Sequence, residues 1–324
     1  MTETTAPIPV DSIPPKIAAL GQDELVTPPL SLGQLTWRRF RRHKMAMVGG
    51  LVLILLFLYA FGGAFFVTEK YANYNDTNQS MQPPSSTHPF GTDAIGRDIL
   101  ARTIFGGQIS LIIGLFAVSI ETFFGIVVGA LAGYYGGILD NILMRITEAM
   151  LNIPEIFLLI VMAKFFAGKI PDLNILGRTF SGSVVVIVVI IGATSWMYLA
   201  RIVRAEFLSL KENDFVLAAR ATGTSNTDII FRHILPNSIA PIVVTATLGV
   251  ANAILSEAYI SFLGLGVQPP TATWGNMLDN ANNYIETSPW LWFFPGMFIL
   301  LTVLSINFLG DGLRDALDPR SRAA

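Results

Sequence analysis

The residues that most often carry out chemistry in proteins are few in this 324-residue chain, and they lie far apart. Three histidines, His43, His88 and His233, occupy three different segments, and the sequence contains no cysteine. It also lacks the H-E-x-x-H spacing of a helical zinc site, the G-x-S-x-G turn of a serine nucleophile and the G-x-x-x-x-G-K-[ST] loop that binds phosphate. We therefore expect no catalytic residues, no bound metal and no cofactor in this chain.

Four carboxylates in otherwise apolar stretches are the remaining candidates: Glu121, Glu148, Glu155 and Glu257. An ionisable group inside a membrane is costly and is therefore a functional candidate by default. A carboxylate near the end of a helix, or within a helix contact, can instead find hydrogen-bond donors and be structural. For Glu148, Glu155 and Glu257 we favour the structural interpretation. No acidic and basic residues alternate along one helix in a way that indicates a proton relay.

The apolar stretches around these residues predict a membrane protein. Apolar residues make up 52% of the chain and charged residues only 14%, whereas a soluble domain has about 25% charged residues. The formal net charge of -2 gives no indication of a nucleic-acid partner. A helix needs about 20 apolar residues to cross a bilayer. Six stretches meet this length: Val48–Val67, 104–134, 141–167, Thr179–Ala200, 236–263 and Thr287–Gly310.

The orientation of the six predicted spans follows from lysine and arginine, which favour the cytoplasmic side. The basic run 37–44, WRRFRRHK, directly precedes the first span, and six spans bring both termini to one side. We therefore expect an all-α membrane fold of about six transmembrane helices with cytoplasmic termini. In the second span, Gly125, Gly129 and Gly133 recur at every fourth position, which is typical of a close helix contact.

The most informative stretch is 205–237, which is too polar to cross a membrane and too patterned to be a loose linker. Residues 207–221 form a helix-forming run, which is broken at Gly223, a residue that tolerates the positive φ of a helix C-terminus. Thr224 or Ser225 can cap a second helix, and Pro236 suits the first turn of the fifth span. Two short helices around a glycine turn suit docking to another protein, but a helix pair packed on its own bundle fits as well.

The sequence of this stretch resembles the coupling-loop signature of ABC importer permeases. Ala218-Ala219, Gly223 four residues later, and Leu235-Pro236 match the signature. Leu217 replaces its glutamate and His233 replaces its isoleucine. Three more stretches are similar to the C-type subunit of the dipeptide, oligopeptide and nickel branch, and the resemblance runs from about 35 to 320. They are HPFGTDAIGRD at 88–98, SFLGLG at 261–266 and NFLGDGLRDALDPR at 307–320.

The resemblance implies a multi-pass permease of the prokaryotic cytoplasmic (inner) membrane, which forms half of the path of an ATP-driven importer for di- or oligopeptides. It implies four kinds of partner: a homologous second permease, two cytoplasmic ATPase subunits that hydrolyse ATP, an extracytoplasmic substrate-binding protein, and membrane lipid. Contact with the ATPase is expected at seven residues of the stretch. These are Ala218, Ala219, Arg220, Gly223, His233, Leu235 and Pro236.

The alternative function is an ion-coupled carrier or channel that works without ATPase subunits. It predicts paired charges within the membrane, discontinuous helices and internal repeats, and the sequence shows no charge pair and no convincing repeat. The transported solute stays open between peptides, nickel and other small molecules. We expect four regions: a disordered Pro-rich tail at 1–34, the first span and an external loop at 35–103, a transmembrane core at 104–312 that includes the coupling segment 205–237, and a cytoplasmic tail at 313–324.

Overall fold

The computed structural model describes residues 31–175, 178–279 and 281–318. The predicted tail at 1–34 therefore lies outside the described residues up to residue 30. Helix α1 (Leu32–Arg42) begins with a capping box, in which the Gln34 N–H donates to Ser31 Oγ and the Ser31 N–H donates to the Gln34 side chain. The predicted boundary at 34 falls inside this helix, so α1 begins nearer the N-terminus than we expected.

Five helices in the described part of the chain are long and apolar enough to cross a membrane. The first is α2 (Lys44–Phe57), which continues through a π-helical turn (Leu58–Gly62). Short helix α3 (Glu69–Ala72) follows it. The other four long helices are α4 (Ile99–Tyr135), α7 (Gly182–Leu210), α11 (Ile239–Phe262) and α12 (Trp290–Leu317).

The predicted span at 141–167 is not one straight helix. It consists of α5 (Gly137–Leu151) and α6 (Glu155–Phe166), which meet at an angle of 87°. Pro154 lies at the break, where proline lacks an N–H and disfavours helical backbone at the preceding residue. If this pair is counted as one bent span, the described residues contain six candidate membrane crossings. If the pair is not counted as a crossing, they contain five.

The remaining elements are short. Strands β1 (Leu173–Ile175) and β2 (Arg178–Phe180) form an antiparallel pair, which is a small addition to the all-helical fold we predicted. Three short helices lie between α7 and α11: α8 (Asp214–Ala221), α9 (Asn226–Asp228) and α10 (Leu235–Asn237), with a π-helical turn at Ile229–Ile234. Three 3-10 turns lie at Thr77–Gln79, Asn276–Leu278 and Ala281–Tyr284.

Helices α4 and α7 form the most extensive contact among the described helices, and the glycine repeat of α4 makes it possible. A Cβ added at Gly129 would lie 2.5 Å from the carbonyl oxygen of Ala200, and one at Gly133 would lie 2.6 Å from Cβ of Phe207. At Gly125 the same atom would meet the side chain of Leu199. The predicted packing role of these glycines is confirmed, and the partner helix is α7.

The loop before α4 is held by its own polar side chains. Asp98 caps α4 by accepting the Ala101 N–H, and its second oxygen lies 2.8 Å from Nδ1 of His88. Trp290, at the start of α12, donates its indole N–H to the carbonyl of Thr92 at 3.1 Å. This loop is therefore fixed both to α4 and to the start of α12.

Candidate functional site

The coupling segment (205–237) lies where α4 and α7 end. We expected one continuous helix-forming run through 207–221, and this was wrong: α7 ends at Leu210, and α8 begins at Asp214. Lys211 closes α7 and donates from Nζ to the carbonyl of Gly133 on α4 at 3.2 Å. A basic group at a helix C-terminus interacts favourably with the helix dipole, so this bond stabilises the end of α4.

Gly223 makes the turn that the sequence predicts. Its φ is +79°, and the backbone N–H groups of Gly223 and Thr224 donate to the carbonyls of Arg220 and Ala219. These two bonds define a Schellman ending of α8. Of the two predicted caps for the next helix, Ser225 is the one used, since its hydroxyl accepts the Asp228 N–H at 3.2 Å.

The inner face of the coupling segment is packed against the bundle. Val216, Ile229 and Ile234 are completely buried, in one apolar cluster with Phe207 of α7 and Tyr134 of α4. The Tyr134 hydroxyl also donates to the amide oxygen of Asn226 at 2.7 Å. The segment is thus joined to two membrane-spanning helices by apolar contacts and by hydrogen bonds.

A two-bond ion pair strengthens the same corner of the molecule. Arg204, near the end of α7, donates from Nε and Nη2 to the two carboxylate oxygens of Asp140 on α5, at 2.5 and 2.7 Å. The planar guanidinium group matches a carboxylate in this arrangement. The pair ties α5, and with it the bend before α6, to the helix that leads into the coupling segment.

The seven residues assigned to ATPase contact do not all face outward. Ala218, Gly223 and Pro236 are exposed, whereas Ala219 is only 8% exposed and packs inward beside Val216. Close packing against the chain's own bundle therefore explains the small side chain at Ala219. The remaining positions are mixed: Arg220 is exposed, while His233 and Leu235 are half-buried.

Two of these seven residues also have local contacts. The guanidinium carbon of Arg220 lies 5.5 Å from the centre of the Tyr134 ring, within the range of a cation–π contact. Pro236 does not begin the fifth span as we predicted. It lies within α10, and α11 begins three residues later at Ile239.

A cavity of about 1160 Å³ opens between α4, α7, α11, α12 and the bend between α5 and α6. We did not predict this cavity, because its walls come from five separate parts of the chain. In the sequence, the carboxylates of Glu121 and Glu155 within apolar stretches were the residues that could have indicated it. Polar and aromatic residues on its walls include Glu121, Glu155, Tyr198, Asn252, Tyr259 and Arg314.

The other two candidate carboxylates lie outside this cavity lining. Glu257 is completely buried and accepts hydrogen bonds from Ser261 Oγ at 2.7 Å and Ser110 Oγ at 3.3 Å, so it joins α11 to α4. This geometry agrees with the structural interpretation. Glu148 is exposed and lies 4.0 Å from Arg145 on the same helix. In the part of the chain that the structure describes, no three His, Asp or Glu side chains cluster as a metal site.

Comparison with known proteins identifies the class. Residues 125–323 match the family described as binding-protein-dependent transport system inner membrane component, and residues 31–84 match the N-terminal transmembrane domain of oligopeptide transport permease C. The chain belongs to this family of inner-membrane permeases. It is therefore a multi-pass permease subunit of an ABC-type transport system of the bacterial inner membrane, and the ion-coupled carrier we considered is not supported.

Individual relatives cover most of the chain. The dipeptide permease DppC of Alkalihalophilus pseudofirmus is 40% identical over 89% of this chain and 90% of its own length. The oligopeptide permease OppC of Bacillus subtilis is 37% identical over 97% of this chain and 99% of its own length. Among solved structures, an inward-facing MetNI methionine ABC transporter shares the fold, with a TM-score of 0.51, 20% identity, and coverage of 66% of this chain and 95% of that chain.

Proposed function

We propose that this permease forms half of the membrane path of an importer for di- or oligopeptides, and that the coupling segment transmits movement of an ATPase subunit to that path. The similarity to dipeptide and oligopeptide permeases supports a peptide substrate. One structural observation carries the coupling role. The inner face of the segment is fixed to α4 and α7, while Ala218, Gly223 and Pro236 remain exposed on its outer face.

This arrangement suits force transmission because the segment has little freedom to move independently of the bundle. An element couples two sites only if the binding event at one site biases a structure that the other site shares. A partner that displaces the exposed turn at Gly223 also displaces Asn226, and through the Tyr134 hydrogen bond it displaces the end of α4. The cavity lies along that same helix, at Glu121.

The proposed assembly contains a second, homologous permease, two cytoplasmic ATPase subunits and an extracytoplasmic substrate-binding protein, all within or beside membrane lipid. In it this chain hydrolyses no ATP, since the phosphate-binding loop is absent from its sequence. The open side of the cavity is the surface we assign to the second permease. We also propose the regions given above, with helix α1 added to the second of them from Leu32 onward and with cytoplasmic tails flanking the membrane core.

Reconstitution into proteoliposomes tests the function. The chain alone is expected neither to hydrolyse ATP nor to take up a labelled peptide such as trialanine. Addition of the second permease, the ATPase subunits and the binding protein is expected to produce both activities together. Peptide uptake by the lone chain under a proton or sodium gradient is the result that contradicts the proposal.

Reporter fusions test the orientation on which the coupling role depends. A reporter placed within Lys211–Asn213 and a second one after Ala324 are expected to read cytoplasmic. A third, near Asn78 in the loop before α4, is expected to read external, because α2 separates this loop from the basic residues of α1. An external reading at Lys211–Asn213 contradicts the assignment of that segment to an ATPase.

A further inference from the structure

The carboxylate of Glu121 on α4 is buried and has no partner within the described residues. The residue is only 6% exposed, and it makes no hydrogen bond or ion pair with any residue that the structure describes. Its side chain borders the cavity. Glu121 is not among the fully enclosed, unpartnered side-chain oxygens of the described residues, so its carboxylate is open to the cavity and can take up a ligand from there.

The backbone of α11 leaves room for that carboxylate. Gly249 faces Glu121 across the cavity wall, and a Cβ on Gly249 would lie 3.2 and 3.3 Å from the two Glu121 oxygens. Any larger residue at this position would crowd the carboxylate. The close approach at Gly249 accommodates both Glu121 and Val118, whose Cγ2 would lie 2.8 Å from the same Cβ.

A second carboxylate shares the cavity. Glu155 begins α6 at the bend, accepts a long hydrogen bond of 3.3 Å from Ser256, and lines the same cavity as Glu121. Two carboxylates that face the same space repel each other, and a cation between them removes that repulsion. Tyr198 and Tyr259 also line the cavity, and aromatic faces attract organic cations.

The nature of the cation follows from the number of ligands and the size of the space. Protein metal sites usually bring together three or more charged or imidazole ligands, and the described residues contain no such group. A volume of about 1160 Å³ is that of a site for a small organic molecule, not for a single ion. An ammonium group needs only one or two carboxylates.

We propose that Glu121, assisted by Glu155, binds the α-ammonium group of the peptide inside the membrane cavity. This inference rests on the proposed peptide transport. Every linear peptide with a free amino terminus carries this group, whatever its side chains. Glu121 therefore supplies an attraction that does not depend on peptide sequence, which suits a path that receives substrates already selected elsewhere.

Carbodiimide labelling of the assembled transporter tests the site. Dicyclohexylcarbodiimide modifies carboxyl groups in apolar surroundings, and mass spectrometry locates the modified residue. Glu121 is expected to be labelled, and saturating trialanine is expected to reduce this labelling about tenfold, since ten times Kd leaves about one tenth of the sites free. N-acetyl-trialanine, which lacks the ammonium group, is expected to give no protection. Absence of labelling, or equal protection by the two peptides, overturns the proposal.

A transport measurement complements the labelling. Glu121→Gln keeps the size of the side chain and removes the charge, so it is expected to raise the KM for trialanine uptake about tenfold. Glu148→Gln removes an exposed carboxylate outside the cavity and is expected to leave that KM unchanged. An unchanged KM in Glu121→Gln overturns the proposal.

Methylammonium separates this proposal from the proposed function. If the wild-type transporter takes up no peptide, peptide transport is wrong for this chain. Protection of Glu121 by methylammonium, but not by neutral acetamide, still identifies a cation site in that case. If peptide uptake is normal and neither trialanine nor methylammonium protects Glu121, the ammonium site is wrong and the transport function stands.

Discussion

The contact between α4 and α7 and the turn at Gly223 both require glycine, but they use different properties of the residue. At Gly129 the backbone is helical, and a Cβ would lie 2.5 Å from the carbonyl oxygen of Ala200. At Gly223 a Cβ would meet nothing within 4 Å, yet φ is +79°, a conformation that other residues adopt only with strain. Gly129 is required because the two helices pack closely there, and Gly223 is required because the turn needs a positive φ. Substitutions in the helix contact thus test the fold, and substitutions in the turn test the coupling.

The largest effect on stability is expected from Gly129→Ala. The added methyl group meets a backbone oxygen, which cannot rotate away as a side chain can, so we expect a loss of about 3 kcal/mol of stability, at the upper end for overpacking. The midpoint of thermal unfolding of the purified complex measures this loss.

A matched control for Gly129→Ala lies in α12. Gly296 is helical and has nothing within 4 Å of an added Cβ. Gly296→Ala is therefore expected to leave stability unchanged or to raise it by up to about 1 kcal/mol. Equal unfolding midpoints for the two variants would show that the α4–α7 contact is not as close as described.

A smaller loss is expected when the ion pair beside that contact is broken. Asp140→Ala leaves the Arg204 guanidinium without the two hydrogen bonds it makes to this carboxylate, and we expect a loss of about 2 kcal/mol in the same unfolding measurement. Glu148→Ala, which breaks the exposed pair with Arg145, should cost about 0.5 kcal/mol or less. Similar losses for both variants would contradict a structural role for the buried pair.

The smallest effect on stability, but a large one on transport, is expected from Gly223→Val. A branched residue at this φ costs on the order of 1 kcal/mol or more, so membrane insertion and expression should be largely retained. Substrate-dependent uptake should be abolished, because the altered turn no longer fits the ATPase surface. Uptake by the reconstituted transporter and the amount of inserted protein are measured together.

Gly137→Val provides the control for this turn. Gly137 also has a positive φ, of +59°, and nothing within 4 Å of an added Cβ, but it lies outside the coupling segment. The strain is therefore similar and the location is different. Normal uptake is expected in Gly137→Val, and normal uptake in Gly223→Val would remove the role assigned to the turn.

Sequence patterns predicted the features of this fold that depend on neighbouring residues. Glycine at every fourth position indicated the helix contact of α4. Gly223 indicated the turn, and Thr224 and Ser225 were the two predicted caps of the next helix. The inward orientation of Ala219 was not predictable, because it depends on the packing of the coupling segment against α4 and α7. The bend at Pro154 was missed for a different reason, since the apolar residues on both sides of it form one stretch of spanning length.

The cavity was also not predictable, because its walls come from residues that are distant in the sequence. Glu121 and Gly249 are distant in sequence, and only the packing of α4 against α11 brings the carboxylate opposite the missing side chain. The acidic residue was visible in the sequence as an unusual group in an apolar stretch. Its lack of a partner was not visible, because that depends on every element around it.

The unbroken length of α7 has a mechanical consequence. With 29 residues at about 1.5 Å per residue, Gly182–Leu210 is a rod of roughly 43 Å. One end leads into the coupling segment, and near the other end Ser183 accepts a hydrogen bond from the backbone of Gln268. A tilt of about 10° around one end moves the opposite end by roughly 7 Å, given that helical rise. In a rod of this length, a small rotation on one side of the membrane would become a displacement the size of an amino-acid side chain on the other.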